Sequence, residues 1–187
     1  MLGDAERWDA RYAGRSAVEP SQPSGLDGIS LPAAGLSLDV ACGLGEQSLW
    51  AAARGFEVVA LDASPIAIAA LRSAASERGL ADRIDARVVD LDDGLPVELT
   101  GRCALVICQR FRDPRLYGAL VDTTAPGGML VVTVLSVVGT AAPGEFHAPR
   151  GELAAAIGTL DIEVLRDVEG DGVATLVGRR LSPRTRT

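Results

Sequence analysis

The residues able to do chemistry stand where short apolar runs end. In LSLDVACGLG, residues 36–45, a strand-like run carries Asp39 and then breaks into a turn with Ala41, Gly43 and Gly45. A second run closes on Asp62 and Ala63, a third on Asp90 and Leu91, and a fourth on Cys108 and Gln109. A turn of such small residues lets the main chain bend sharply and touch a ligand, with N–H groups of the next helix aimed at it. Asp62 follows Asp39 by 23 residues, and an acid roughly 20 positions after a glycine turn suits the hydroxyls of a ribose. Asp90 suits the exocyclic amine of adenine, with the neighbouring amide reading a ring nitrogen. Three consecutive run ends therefore describe a site for an adenosine derivative.

The charge beside the turn narrows the ligand. A dinucleotide site uses G-x-G-x-x-G, whose third glycine packs helix against strand. The frame from Gly43 reads GLGEQS, so Ser48 takes the third position and Glu46 would stand beside a pyrophosphate. A carboxylate there repels phosphate. A cationic ligand without phosphate, a sulfonium, fits the same turn.

These residues need a scaffold that brings the run ends together. From Leu36 onward the chain alternates strand and helix patterns: LSLDVA, FEVVALD, RIDARVVD, CALVICQ and MLVVTVL read as five strands, the continuous apolar ones buried on both faces. Between them, EQSLWAAARG reads as a helix with Leu49, Trp50 and Ala53 inward, ended by Gly55. In SPIAIAALRSAASERG, Ser64 caps, Pro65 starts the helix, and Ile68, Leu71 and Ala75 face the core. RDPRLYGALVDTTAPGG predicts a helix ending before Pro126, and PRGELAAAIGTL one with Leu153, Ala156, Ile157 and Leu160 inward. The closing IEVLRDVEGDGVATLVGRR predicts an antiparallel hairpin about Gly170-Asp171-Gly172. Such alternation predicts a doubly wound α/β fold with a mostly parallel sheet, ligands binding at the carboxyl ends of its strands. Residues 1–35 are set apart as a short helix over 4–13, with Trp8 and Tyr12 on one face, and a Gly/Pro/Ser-rich flexible arm or lid over 14–35 rather than a packed element. Residues 36–181 form the α/β domain, and 182–187 a frayed tail.

Composition excludes several classes. The 187 residues are 48% apolar and 23% charged, as expected of one globular domain. No apolar run approaches the roughly 20 residues of a membrane span, and MLGDAERWDARYAG lacks the apolar core of a secretory signal. The expectation is a cytoplasmic protein. Net charge is −7, and every basic residue is arginine, which opposes general affinity for nucleic acid and removes lysine-based mechanisms. Arg110, Arg112 and Arg115 read as solvated charge. Cys42, Cys103 and Cys108 have no C-x-x-C spacing and His147 is the single histidine, so no zinc set can be assembled. The thiols read as free in a reducing compartment.

The string Asp39-x-Ala41-x-Gly43-x-Gly45, followed by Asp62 and Asp90-Leu91, resembles the class I S-adenosylmethionine-dependent methyltransferases. APGGMLVVT resembles the approach to their fifth strand, and the likeness runs from Leu36 to Arg180. The opening WDARYA is similar to the N-terminal segment of small-molecule members, including the tellurite-resistance and thiopurine-type branch. The resemblance implies a Rossmann-like sheet of seven strands and S-adenosyl-L-methionine as cofactor. It implies Asp39, Ala41, Gly43 and Gly45 at the methionine end, and Asp62 with Ala63 at the ribose. Asp90 and Leu91 fall at the adenine, Cys108 and Gln109 beneath the sulfonium, and Trp8, Arg11 and Tyr12 over the bound cofactor. Ala41 stands where glycine is commoner, and Leu44 where a hydroxyl residue is frequent.

Methyl transfer from a sulfonium is an in-line displacement whose leaving group needs no proton, so alignment and exclusion of water carry much of the catalysis. A hydroxyl or amine acceptor still loses a proton, and His147, in GEFHAPRGEL, is the candidate base. Arg110 or Arg150 is the candidate for an anionic acceptor. The Asn/Asp-Pro-Pro-Tyr signature of enzymes acting on base or side-chain amines is missing after the fourth strand, where CQRF stands. A small-molecule acceptor is the leading expectation. The alternatives are a cofactor-binding relative acting on protein or nucleic acid, a non-catalytic regulator, and a nicotinamide-dependent oxidoreductase, the last opposed by Glu46 and Ser48. Nothing in the residues selects an oligomeric state.

Overall fold

Runs such as CALVICQ are apolar at every position because both faces of their sheet are covered. The structure, a computed structural model, describes residues 8–15 and 19–182. Its strands are β1 Leu36–Val40, β2 Glu57–Asp62, β3 Ile84–Val88, β4 Cys103–Gln109, β5 Thr124–Leu135, β6 Ile162–Gly170 and β7 Val173–Arg180. They form one seven-stranded sheet in the order β3-β2-β1-β4-β5-β7-β6. The first five are parallel, and β7 runs antiparallel to both its neighbours. This is the expected doubly wound, Rossmann-like sheet with its terminal hairpin. Asp171 and Gly172 make the hairpin turn with φ of 51° and 79°, the two left-handed residues a tight two-residue connection needs.

Residues 8–12 are the described part of a first helix, α1. The others are α2 Glu46–Ala53, α3 Pro65–Glu77, α4 Tyr117–Thr123 and α5 Glu152–Ala156. On one face of the sheet Leu38, Val106, Leu130 and Val132 pack with Leu120, Leu153 and Ile157. On the other, Leu105, Ile107 and Val131 pack with Leu49, Ile68 and Leu71. Ser64 caps α3, accepting the Ala67 N–H at 3.1 Å. Strand order reverses between β1 and β4, which opens a crevice at their carboxyl ends.

Several boundaries differ from expectation. Helix α5 has five residues, not the twelve of PRGELAAAIGTL, and Leu160 is exposed; Leu153 and Ile157 alone of that stripe are fully buried, and Gly158 disfavours continuing the helix. On α2, Ala53 faces solvent and Trp50 is half-buried beneath Arg54. Strand β5 begins at Thr124 because Thr124 already pairs with Cys103, and a register shift absorbs the Pro126-Gly127-Gly128 stretch.

The arm is the larger correction. Residues 19–35 contain neither helix nor strand, yet they are packed. Leu26 is 3% exposed and joins Ile29 and Leu31 on the α2–α3 face. The Arg166 guanidinium donates to the carbonyls of Gly25 and Asp27, and the Ser21 N–H donates to the Glu46 carbonyl. Three apolar residues suffice to dock a segment whose composition otherwise reads as linker. The N-terminal part of the expected 4–13 helix, residues 16–18 of the arm, and the tail from residue 183 lie outside the described residues.

Gly25, at φ 91°, marks the docking point: a Cβ there would lie 2.5 Å from Thr175 Cγ2. Gly25→Ala is expected to cost about 2 kcal/mol through overpacking and left-handed strain. Urea unfolding should show a lower midpoint with the same slope. An unchanged midpoint would mean the arm is not docked.

Candidate active site

The turn after β1 places Ala41 at φ 54°, Gly43 at φ 54° and Gly45 at φ 89°. Ala41 is not glycine, so its left-handed backbone carries about 1–2 kcal/mol of strain, a larger departure than the change of side chain suggests. Gly45 precedes α2 and lies under α3: a Cβ there would sit 2.2 Å from Leu71 Cδ1. At Gly43 a Cβ would come 2.9 Å from the Tyr12 hydroxyl oxygen, so Tyr12 lies over the turn. Leu44 is buried, and burial accounts for an apolar residue where a hydroxyl is frequent.

Asp62, at the end of β2, accepts from two backbone donors: Gly43 N–H at 2.8 Å through one carboxylate oxygen, and Ser64 N–H at 2.9 Å through the other. Burial pushes its pKa up; the Ser64 and Gly43 donors pull it back, and the charge of Asp9 adds to the rise. The Ser64 hydroxyl in turn donates to Asp9 of α1. A chain of hydrogen bonds thus runs from the glycine turn through Asp62 and Ser64 to α1. Asp9 had no signal in the sequence, because its partner lies 55 residues away.

Asp39 is 1% exposed, and one carboxylate oxygen accepts from the Ser48 hydroxyl at 2.6 Å. Ser48, read in the sequence only as a missing glycine, ties β1 to the first turn of α2. The available signal was the buried carboxylate itself, which requires a donor. Burial raises Asp39 to about 7; the Ser48 bond opposes the rise, and the charges of Asp62 and Glu46 add to it.

The remaining sequence-nominated residues are distributed around this centre. Asp90 is exposed two residues beyond β3, accepting the Asp92 N–H, and Leu91 is buried behind it. Ala63 is half-buried beside Asp62. The buried Cys108 thiol donates to the Phe111 carbonyl, and burial raises its pKa to about 12. The Gln109 amide oxygen accepts the Ser24 N–H at 3.1 Å, so it holds the arm. Trp8 stacks with Tyr12 at 5.8 Å, while Arg11 lies over the Trp8 ring at 5.3 Å. Burial, with the charges of Asp62 and Cys42, raises the Tyr12 phenol to about 12, so it stays protonated at neutral pH.

His147, the candidate base, is engaged within its own turn. Its Nδ1 accepts the Gly144 N–H at 2.9 Å. The same nitrogen lies 3.2 Å from the Gly144 carbonyl oxygen, so either tautomer bonds within this turn. The geometry makes His147 a turn cap. Farther along this rim, Glu152 receives a bidentate Arg112 guanidinium, at 2.8 and 2.5 Å, and the Tyr117 hydroxyl at 2.8 Å. The Arg112 bond holds Glu152 below the usual carboxylate range. This pair joins the segment after β4 to the start of α5.

The raised Asp39 fixes the sign of a pH dependence. Its contribution to stability is full below its ordinary 3.8 and is lost as pH rises through about 7. The free protein should therefore weaken between about pH 4 and 7, and Asp39→Asn should make that decline shallower in thermal melts. Equal slopes would sink the assignment.

Residues 38–128, which contain this turn, the end of β1 and all of β2 to β4, match the family model described as a methyltransferase domain. No curated protein matches the chain. Among solved structures it is similar to TehB from Haemophilus influenzae at 20% identity and TM-score 0.67, over 83% of this chain and 59% of TehB. It therefore spans less than two thirds of that protein. It is also similar to a geranyl diphosphate methyltransferase solved with GPP and sinefungin (12% identity, TM-score 0.71, 96% and 99% of the two chains). A third similar structure is the cyclase SpnF (19% identity, TM-score 0.66, 95% and 81%). Residues 38–128 thus match a methyltransferase domain, and the chain shares the α/β fold of these solved structures.

Proposed function

We infer that the protein transfers a methyl group from S-adenosylmethionine to a small-molecule acceptor. One observation carries the reading: the Asp62 carboxylate binds the Gly43 N–H, so the glycine turn and the acid at the next strand end form one assembled cleft beneath Tyr12. When bound, S-adenosylmethionine supplies an electrophilic methyl group on a cationic sulfur. Asp39, Ala41, Gly43 and Gly45 would hold its methionine end, Asp62 with Ala63 the ribose, and Asp90 with Leu91 the adenine. Two similar enzymes were solved with sinefungin or S-adenosyl-L-homocysteine, which supports this cofactor. The surroundings fit a cation: Asp39 and Asp62 flank the turn, and Glu46 opens α2, a first-turn carboxylate that opposes a dinucleotide's pyrophosphate.

The chain's own contribution is to bind, orient and exclude water. Tyr12 covers the turn, with Trp8 stacked on it and Arg11 over Trp8, and Ser24 is tied to Gln109 at the end of β4. Cys42 and Cys108 are held as neutral thiols by burial, so neither is a thiolate competing with the acceptor. Cys108 and Gln109 would floor the cleft. No proton transfer is assigned to His147. The net charge of −7 offers no polyanion footprint, which favours a small acceptor over nucleic acid. Among the described residues no helix is long and apolar enough to cross a membrane, and the three free thiols fit the cytoplasm.

Titration calorimetry with S-adenosylhomocysteine and NAD tests the cofactor. The homocysteine ligand should bind and NAD should not; binding of NAD alone would overturn the reading. Asp62→Asn, which keeps one acceptor oxygen, should weaken the homocysteine ligand about tenfold or more. His147→Gln should change kcat by less than about threefold, whereas a general base would cost about a hundredfold or more.

A further inference from the structure

Nearly every arginine of the described residues has its guanidinium engaged. Arg72, Arg102 and Arg166 bond carbonyls, Arg83, Arg87, Arg112 and Arg115 pair with acids, and Arg11 and Arg54 lie over tryptophans. Arg78, Arg179 and Arg180 are likewise paired. Three guanidinium groups have no partner among the described residues, those of Arg15, Arg110 and Arg150, and all three residues are exposed. Arg15 follows α1, whose Tyr12 covers the turn after β1; Arg110 follows β4; Arg150 follows β5 and precedes α5. Strands β1, β4 and β5 are consecutive in the sheet, so the three stand on one rim, at the carboxyl ends.

Arg110 and Arg150 share a second property. Both stand in anchored segments. Arg110 sits at φ 58°, a left-handed conformation costing about 1–2 kcal/mol for a residue other than glycine. Its N–H is held by the Thr133 carbonyl at 2.7 Å. Arg150 is followed by Gly151, whose N–H donates to Glu169, and by Glu152, which Arg112 grips. The Arg112–Glu152 pair joins these two segments directly. It also occupies the Glu152 carboxylate, as Arg115 does that of Asp113. Glu145, on the same loop as Arg150, pairs with neither arginine.

We propose that Arg110 and Arg150 bind an oxyanion of the methyl acceptor, a carboxylate or a phosphate, and so select anionic small molecules. The proposal rests on the methyltransferase reading and adds its substrate class. Guanidinium forks suit both oxyanions bidentately, and a fixed stem with an open head lowers the ordering cost of binding. Solvent access makes the interaction sensitive to salt.

The test titrates wild type saturated with S-adenosylhomocysteine against inorganic pyrophosphate, benzoate and neutral benzamide, following heat. One of the two anions should bind saturably and more weakly as salt rises, with benzamide silent. Preference for pyrophosphate would indicate a phosphorylated acceptor, and preference for benzoate a carboxylate. Arg110→Ala and Arg150→Ala should each weaken the anion about tenfold or more, with homocysteine-ligand affinity unchanged as the control for folding. Arg110→Lys should recover part of the loss. No saturable anion binding, equal binding of benzamide, or unchanged affinity in both variants would overturn the proposal while leaving the cofactor reading intact. Failure of wild type to bind the homocysteine ligand at all would overturn both.

Discussion

The cleft depends on one buried carboxylate finding backbone donors. Asp62 is 6% exposed, and an ionised acid that far from water is tolerated only when its oxygens are engaged. The donors come from Gly43 and Ser64. They are the turn after β1 and the cap of α3, which also meet where Gly45 lies under Leu71. Satisfying Asp62 therefore sets the shape of the cleft, and Ser64 passes that constraint on to α1 through Asp9. Left-handed strain at Ala41 is tolerable in such a setting, because the turn is held from both sides.

Charge is divided across the crevice at the strand-order switch. Asp39, Asp62 and Glu46 gather on the β1–β2 side, with Asp9 reaching in from α1. The open guanidinium groups of Arg110 and Arg150 stand on the β4–β5 side. A cationic cofactor and an anionic acceptor would each meet the opposite sign, and each would be disfavoured in the other's place. A chain with a net charge of −7 gains this polarity by pairing its other arginines.

The sheet was legible because burial on both faces leaves continuous apolar runs, and because Gly-Asp-Gly can serve one kind of turn. Residues 26–31 were not legible in the same way. Leu26 sits in Gly/Pro/Ser-rich sequence, and its burial depends on β7 and on Arg166, more than a hundred residues later. In the site, the acids and glycines at run ends were visible through spacing alone. Their partners were hidden, since neither the Ser48–Asp39 bond nor the Asp9–Ser64 bond follows a local period. His147 likewise has a partner the sequence did not announce, Gly144 three residues back, which bonds one of its ring nitrogens.

The position of β7 has a consequence for synthesis. The last strand of the chain is an interior strand of the sheet, lying between β5 and β6. A nascent chain that has emerged only through β6 presents the outer edge of β5, from Met129 to Leu135, without its partner. That edge is an apolar row of free backbone groups, the kind that recruits strands from other molecules. A form cut short before β7 would carry an exposed edge that the complete sheet covers.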